Sequence, residues 1–236
     1  MDYRYAIVVG ASSGIGLELV KQLAASGCQV AGVARRAERI EKVPNVLAFK
    51  HDVTNYDEVP ALFQEVTKQL GGLDLIVYAA GVMPAVGGHD YCFEKDRQMI
   101  EVNLLGCIAW MNQAAIRFEN TKSGSMVAIG SVAGDRGRSG QPVYNTSKAA
   151  VATYMEAIRN RIARYGVKVV TIKPGPTKTE MTAELHLRGA MNPAKVAKVI
   201  LKKSRKTGEH YIKFSHRLMF YVIKRIPSPI FRRLHL

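Results

Sequence analysis

The run IVVGASSGIG, Ile7 to Gly16, sets three glycines between an apolar stretch and an amphipathic one. Upstream, YAIVVG has the apolar continuity of a buried strand, while Gly14 to Ser26 has helical periodicity and stops before Gly27, where a helix C-terminus is expected. Glycines at 10, 14 and 16 permit a tight turn and close backbone approach between the two elements. The helix N-terminus presents unpaired N–H groups, the setting in which a pyrophosphate binds. The plain alternative is a glycine-rich turn with no ligand, but the flanking strand and helix favour nucleotide binding. The residues expected against the nucleotide are Gly10, Ser12, Ser13, Gly14, Ile15 and Gly16.

The same alternation continues along the chain. Strands are expected at YAIVVG, CQVAGVA, VLAFK, LDLIVYA, SMVAIGS, VKVVTIK and HYIKF, the last spanning residues 210–214. Helices are expected at Gly14 to Ser26, Pro60 to Leu70, Phe93 to Glu119, Ser147 to Tyr165 and Pro193 to Lys206, with Gly27, Gly71 and Gly166 closing three of them. Strands alternating with helices imply an α/β fold: a doubly wound, seven-stranded parallel sheet with helices on both faces, in a single domain. Ligands of such sheets sit beyond the carboxyl ends of the strands.

Length and composition agree with this. A chain of 236 residues with 47% apolar content can build one substantial core. Cys28, Cys92 and Cys107 are widely spaced and form no metal-ligand pattern, so they read as free thiols in a reducing compartment, with no metal site. The N-terminal MDYRYAIVVGASSG reads as a strand rather than a signal peptide, and no stretch is expected to approach the length of a membrane-spanning helix. The expected location is cytoplasmic, soluble or peripheral at the inner face of a membrane. The net charge of +15 is uneven: Lys195 to Leu236 holds twelve Lys and Arg against one acid, Glu209, a net of +11.

The spacing Gly-x-x-x-Gly-x-Gly resembles that of the short-chain dehydrogenase/reductase family, and further motifs extend the resemblance over nearly the whole chain. These are HDVT with Asp52 and Val53, YAAG ending in Ala80 and Gly81, EVNLLG with Asn103, Ser131, YNTSK with Tyr144 and Lys148, and KPGPTKT. Each falls at the carboxyl end of a strand or on the helix that follows. The resemblance implies a Rossmann fold, a nicotinamide cofactor and oxidoreductase activity. Two departures stand out: Val9 where the family commonly has Thr, and Tyr78 and Ala79 in place of two asparagines, which weakens the expected bracing of the central strands.

The second strand ends in VARR, with Arg35 and Arg36 and no acid to accept the ribose hydroxyls. Arginines there suit a 2′-phosphate, so NADP(H) is favoured over NAD(H); the alternative is two exposed helix-start residues. By resemblance Asp52 bonds the adenine, although a turn or capping role suits an Asp before VTN as well. Pro174 and Gly175 turn the chain out of the sixth strand, and Thr177 and Thr179 are expected at the nicotinamide amide. Glu180 to Asn192 falls where the family places its substrate lid.

Tyr144 and Lys148 are four residues apart, so one helical face carries both. A free phenol has a pKa of about 10, which a nearby ammonium and an oxidised nicotinamide would lower. The resemblance implies that Tyr144 is the general acid in carbonyl reduction and the general base in alcohol oxidation. It also implies that Ser131 bonds the substrate oxygen, that Lys148 grips the nicotinamide ribose, and that Asn103 holds a water relaying the proton. Asp135, Arg136 and Arg138 are expected at the entrance, facing substrate.

The expected catalytic domain spans 1–214, and 215–236 forms a basic amphipathic extension. On a helical wheel Lys213, Arg217 and Lys224 share a stripe, and Phe214, Leu218, Met219, Val222, Ile223 and Ile226 an apolar arc. Interfacial membrane contact and a homodimer or homotetramer interface are the two readings; nucleic acid is not an expected partner. SVAGDRGR with IPSPIFRRL resembles the branch of the family that reduces the keto-sugar of a polyprenyl-phosphate-linked pentose, decaprenylphosphoryl keto-ribose reductase, which implies a lipid-linked substrate. The reading is thus an NADPH-dependent oxidoreductase interconverting a carbonyl and a secondary alcohol. The alternative is a catalytically idle NADP-binding sensor or scaffold.

Overall fold

The computed structural model describes residues 3–87, 89–184 and 189–234. Its strands are β1 (Tyr5–Val9), β2 (Gln29–Ala34), β3 (Val46–Lys50), β4 (Leu75–Tyr78), β5 (Ser125–Ile129), β6 (Lys168–Lys173) and β7 (Gly208–Tyr211). All pair in parallel, in the order β3-β2-β1-β4-β5-β6-β7. Every residue of β4 and β5 is buried, which explains why these runs are continuously apolar: helices cover both faces of the sheet.

On one face, α1 (Gly14–Ala25) and α6 (Pro193–Lys203) set Leu19, Leu23 and Ile200 against Val8, Val77 and Val127. On the other, α2 (Val59–Leu70), α4 (Gly106–Thr121) and α5 (Pro142–Ile162) set Phe63, Trp110, Phe118 and Met155 against Ile7, Ile76 and Met126. The strand order reverses at β1, whose neighbours are β2 and β4, so a crevice opens beyond their carboxyl ends.

Four sequence expectations shift. Helix α5 starts at Pro142, five residues before Ser147, because proline at the first helical position is pre-set for the helix. Strand β7 ends at Tyr211 rather than 214: its pairing with β6 sets Gly208 beside Val170, and an edge strand tolerates the polar Glu209 and His210. The third expected helix is interrupted, with α3 (Phe93–Ile100) passing through a π-helical turn, Glu101–Leu105, into α4. The combined Phe93–Thr121 segment of 29 residues is long and apolar enough to cross a membrane, contrary to expectation. Its Trp110, Met111 and Phe118 are instead fully buried in the core.

The missing asparagines of YAAG are partly compensated. The Tyr78 hydroxyl donates to the Val102 carbonyl at 2.6 Å, bracing β4 against the π turn. A Cβ at Gly106 would lie 2.5 Å from that hydroxyl, so glycine is needed where the helix passes it.

After β7 the chain forms α7 (Phe214–Ile223) and α8 (Ser228–Phe231). Phe220 and Phe231 are buried, and the Arg136 guanidinium donates to the Lys224 carbonyl at 3.2 Å and the Ser228 hydroxyl at 3.3 Å while stacking on Phe231. The basic extension is therefore fastened across the loop that follows Ser131.

Candidate active site

The glycine turn is tight for steric reasons. Gly10 has φ +85°, donates its N–H to Val33 at 2.8 Å, and any Cβ there would lie 2.3 Å from the Ala80 nitrogen. A Cβ on Gly16 would meet the Gly10 carbonyl at 2.1 Å. Ser13, at the N-cap of α1, makes no side-chain cap bond, which leaves the first-turn N–H groups facing a cleft of about 940 Å³. That cleft crosses the carboxyl edge of the sheet. Gly10, Ser12, Ser13, Gly14, Ile15, Gly16, Arg35, Arg36, Asp52, Val53, Ala80, Gly81, Pro174, Gly175, Thr177 and Thr179 all line it, together with Ser131, Tyr144 and Lys148.

At the β2 end, Arg35 stands 3.8 Å from Asp52, and Arg36 lies 3.0 Å from Glu180 and 3.4 Å from the Ser13 hydroxyl. Glu180 also pairs with Arg39, tying the segment after β6 to the turn after β2. Asp52 performs the turn role as well: one carboxylate oxygen accepts the Thr54 N–H at 3.0 Å and its hydroxyl at 2.9 Å. Burial alone would raise the Asp52 pKa, but these bonds and Arg35 hold it below the usual carboxylate value.

The middle of the cleft holds the polar set. Ser131 caps a 3-10 turn, Val132–Asp135, by accepting the Ala133 N–H at 3.0 Å, and its hydroxyl is near enough to the Tyr144 phenol to draw the phenol's pKa down. Helix α5 carries both Tyr144 and Lys148, with the Lys148 ammonium 5.8 Å from the Tyr144 ring centroid. That ammonium donates to the Ile129 carbonyl at 3.0 Å and would lie 3.4 Å from a Cβ at Gly81. Burial pushes the Lys148 pKa down to about 8. The Tyr144 pKa is raised, not lowered: burial dominates, with the Ser131 hydroxyl and the Arg138 guanidinium pulling the other way.

Asn103 sits in the π turn behind the cleft rather than on its wall. Its amide accepts the Val82 N–H at 2.7 Å and donates to the Val82 carbonyl at 3.0 Å and the Ser147 hydroxyl at 3.1 Å. Both amide hydrogens are thus engaged, and the side chain braces the end of β4 against α5. A π turn inside a helix often marks such a site, because it redirects one side chain.

Of the three entrance residues expected, only Arg138 lines the cleft. Asp135 is a buried member of an ion network with Lys173 and Lys224, and Arg136 faces the tail. Lys224 accordingly leaves the outer basic stripe drawn on the helical wheel. The expected lid, Glu180 to Asn192, begins with a 3-10 turn, Glu180–Thr182, and ends beside a bridge from Thr177 to Met191; its residues 185–188 lie outside the described residues.

Sequence reasoning missed Gln141, Glu180 and the α7 residues His216, Met219 and Phe220, all in the cleft wall. His216 packs so closely on Gly175 that a Cβ there would lie 2.3 Å from its ring. No local motif marks such residues, and the last three reach the cleft only because α7 folds back over it. The Arg138 Nε, Gln141 Oε1 and His216 Nδ1 atoms are buried without a hydrogen-bond partner among the described residues. Such atoms mark a wall built to meet a polar ligand.

The geometry can therefore hold a dinucleotide along the glycine turn and present a protonated phenol to a group at its far end. A family profile described as short chain dehydrogenase matches residues 4–188. An uncharacterized oxidoreductase of Myxococcus xanthus is 34% identical over 78% of this chain and 76% of its own length. One from Staphylococcus aureus is 31% identical over 84% of this chain and 89% of its own length. Among solved structures, a short chain dehydrogenase from Burkholderia cenocepacia in complex with NADP superposes with a TM-score of 0.87 at 22% identity, covering 99% of this chain and 98% of that one. The profile, the relatives and the fold together place the chain among the oxidoreductases of the short-chain dehydrogenase family.

Proposed function

We propose that this oxidoreductase uses NADPH to reduce a carbonyl group of a lipophilic or lipid-linked substrate to a secondary alcohol. The observation that carries this reading is the half-buried Tyr144 phenol, set beside Ser131 in the cleft with its pKa raised by its surroundings. A raised pKa suits a proton donor, since the acid must still hold its proton when the carbonyl arrives. Ser131 orients the carbonyl oxygen beside the phenol, Lys148 binds from below Gly81, and Asn103 keeps β4 and α5 in register. The bound cofactor supplies the hydride; the protein supplies orientation and the proton.

The residues fit a nicotinamide dinucleotide. The glycine cradle has no room for a Cβ at Gly10 or Gly16, and Ser13 leaves the α1 N-terminus open to a pyrophosphate. Arg35 and Arg36, with Ala34 rather than an acid before them, favour the 2′-phosphate. The NADP held by the Burkholderia structure is consistent with that choice. The apolar part of the substrate is taken to lie along Met181, Met219 and Phe220, which share the cleft wall with the polar set.

Two outcomes are expected. Arg36→Ala should raise KM for NADPH by about tenfold or more, the loss of a charge-assisted contact, and leave KM for NADH nearly unchanged. Equal effects on both cofactors would remove Arg36 from the phosphate site. At saturating NADPH the reductive kcat should hold through the ordinary phenol pKa, because burial raises the Tyr144 pKa, while KM for NADPH should rise above about pH 8 as Lys148 loses its proton. A fall beginning near neutrality would assign the proton to another group.

A further inference from the structure

Among the described residues, seven of thirteen strongly exposed large apolar side chains lie between Phe214 and Leu234. On α7, Phe214 is 77% exposed, Leu218 60% and Val222 55%, with Tyr221 beside them and Ile230 following on α8. Lys213, Arg217, Arg225, Arg232 and Arg233 are exposed among them, and no acid follows Glu209. The inner side of the same helix is already occupied: Phe220 is buried and Lys224 is held by Asp135 at 2.8 Å. The outer face is therefore presented by a fastened helix, not by a loose end seeking its own body.

We infer that α7 and α8 dock this protein on an anionic membrane surface, with the cleft opening beside the interface. Charge decides between the candidate occupants. A second copy meeting this face isologously would bring two faces against one another that each carry five exposed cations and no acid. A nucleic acid would satisfy the arginines and leave the aromatic and aliphatic side chains in water. An anionic bilayer takes both, the apolar side chains at the acyl boundary and the cations at the headgroups. Met219 links the two functions, since it is 46% exposed on this helix and also lines the cleft with His216 and Phe220. A substrate with an apolar tail then reaches the polar set along α7 without leaving the interface. Docking goes beyond the proposed reaction and does not depend on it.

The test is co-sedimentation of the full chain, with NADPH present, on vesicles of phosphatidylcholine alone and of phosphatidylcholine with an equal part of phosphatidylglycerol. Binding to the mixed vesicles should be tighter by about tenfold or more and should weaken with added salt. The double variant Leu218→Glu, Val222→Glu should lose about tenfold or more in vesicle affinity, while its circular dichroism and NADPH binding match the parent protein. Both side chains are exposed and outside the cleft wall, so loss of the fold is not the expected route. No binding to mixed vesicles, or equal binding by parent and variant, would overturn the proposal. So would a self-association, seen in solution without vesicles, that the same variant abolishes, since the face would then belong to a second copy.

Discussion

Tyr144→Phe is expected to lower the reductive kcat by about a thousandfold, within the range that a positioned general acid contributes, while the protein still folds and binds NADPH. The substitution removes one oxygen and leaves the ring, which sits on α5 beside the Lys148 ammonium at 5.8 Å from its centroid. Ser131 keeps its structural bond, since its hydroxyl accepts the Ala133 N–H independently of the phenol. What disappears is the proton donor set beside Ser131. Lys148 is held against the Ile129 carbonyl with a pKa of about 8, and Asn103 has both amide hydrogens engaged. Single-turnover oxidation of bound NADPH separates chemistry from product release and is the proper readout. If the variant retains more than about a tenth of the rate, Tyr144 is not the acid. If a biological activity survives intact while cofactor still binds, the idle NADP-binding reading replaces the enzymatic one.

The difference between what the sequence made legible and what it did not has a physical cause. The succession of strands and helices, the glycine turn and the shared helical face of Tyr144 and Lys148 rest on local signals: apolar continuity, glycine at forced backbone positions, and residues one helical turn apart. Each can be read within a window of about ten residues. Elements defined by polar edges were less legible. Strand β7 was displaced because an edge strand need not be apolar, and the start of α5 was hidden behind a loop rich in glycine and arginine. Residues that reach the cleft from far away in sequence gave no signal at all. His216 lies against Gly175, and Glu180 pairs with Arg36, contacts that exist only once the chain has folded. The same holds for Asp135, whose neighbours in SVAGDRGR suggest an exposed, substrate-facing carboxylate. Its partners Lys173 and Lys224 lie 38 and 89 positions further along the chain.

Asp135→Ala is the substitution away from the cleft with the largest expected cost. The carboxylate is fully buried, 2.5 Å from the Lys173 ammonium, 2.8 Å from that of Lys224, and accepts the Tyr211 hydroxyl at 2.7 Å. Lys173 is itself only 3% exposed and keeps Glu209 at 2.7 Å as its remaining partner. Removing one member of a buried ionic set leaves the others desolvated and underpaired, which costs about 3–5 kcal/mol. For a chain of this length the melting temperature should fall by about 10 °C. Lys224→Ala should cost far less, about 1 kcal/mol or below, because its side chain is partly solvated and Asp135 retains Lys173. The Lys224 pKa is nevertheless raised: burial opposes the shift, and Asp135 outweighs it. Its contribution to stability is therefore complete below the ordinary lysine value and is lost as pH climbs through the raised one. The network ties the turn after Ser131 to β6, β7 and α7, so its loss should also expose α7 to trypsin at Lys224 and Arg225. A melting temperature within about 2 °C of the parent protein, with α7 still protected, would show that the network does not hold the tail over the cleft.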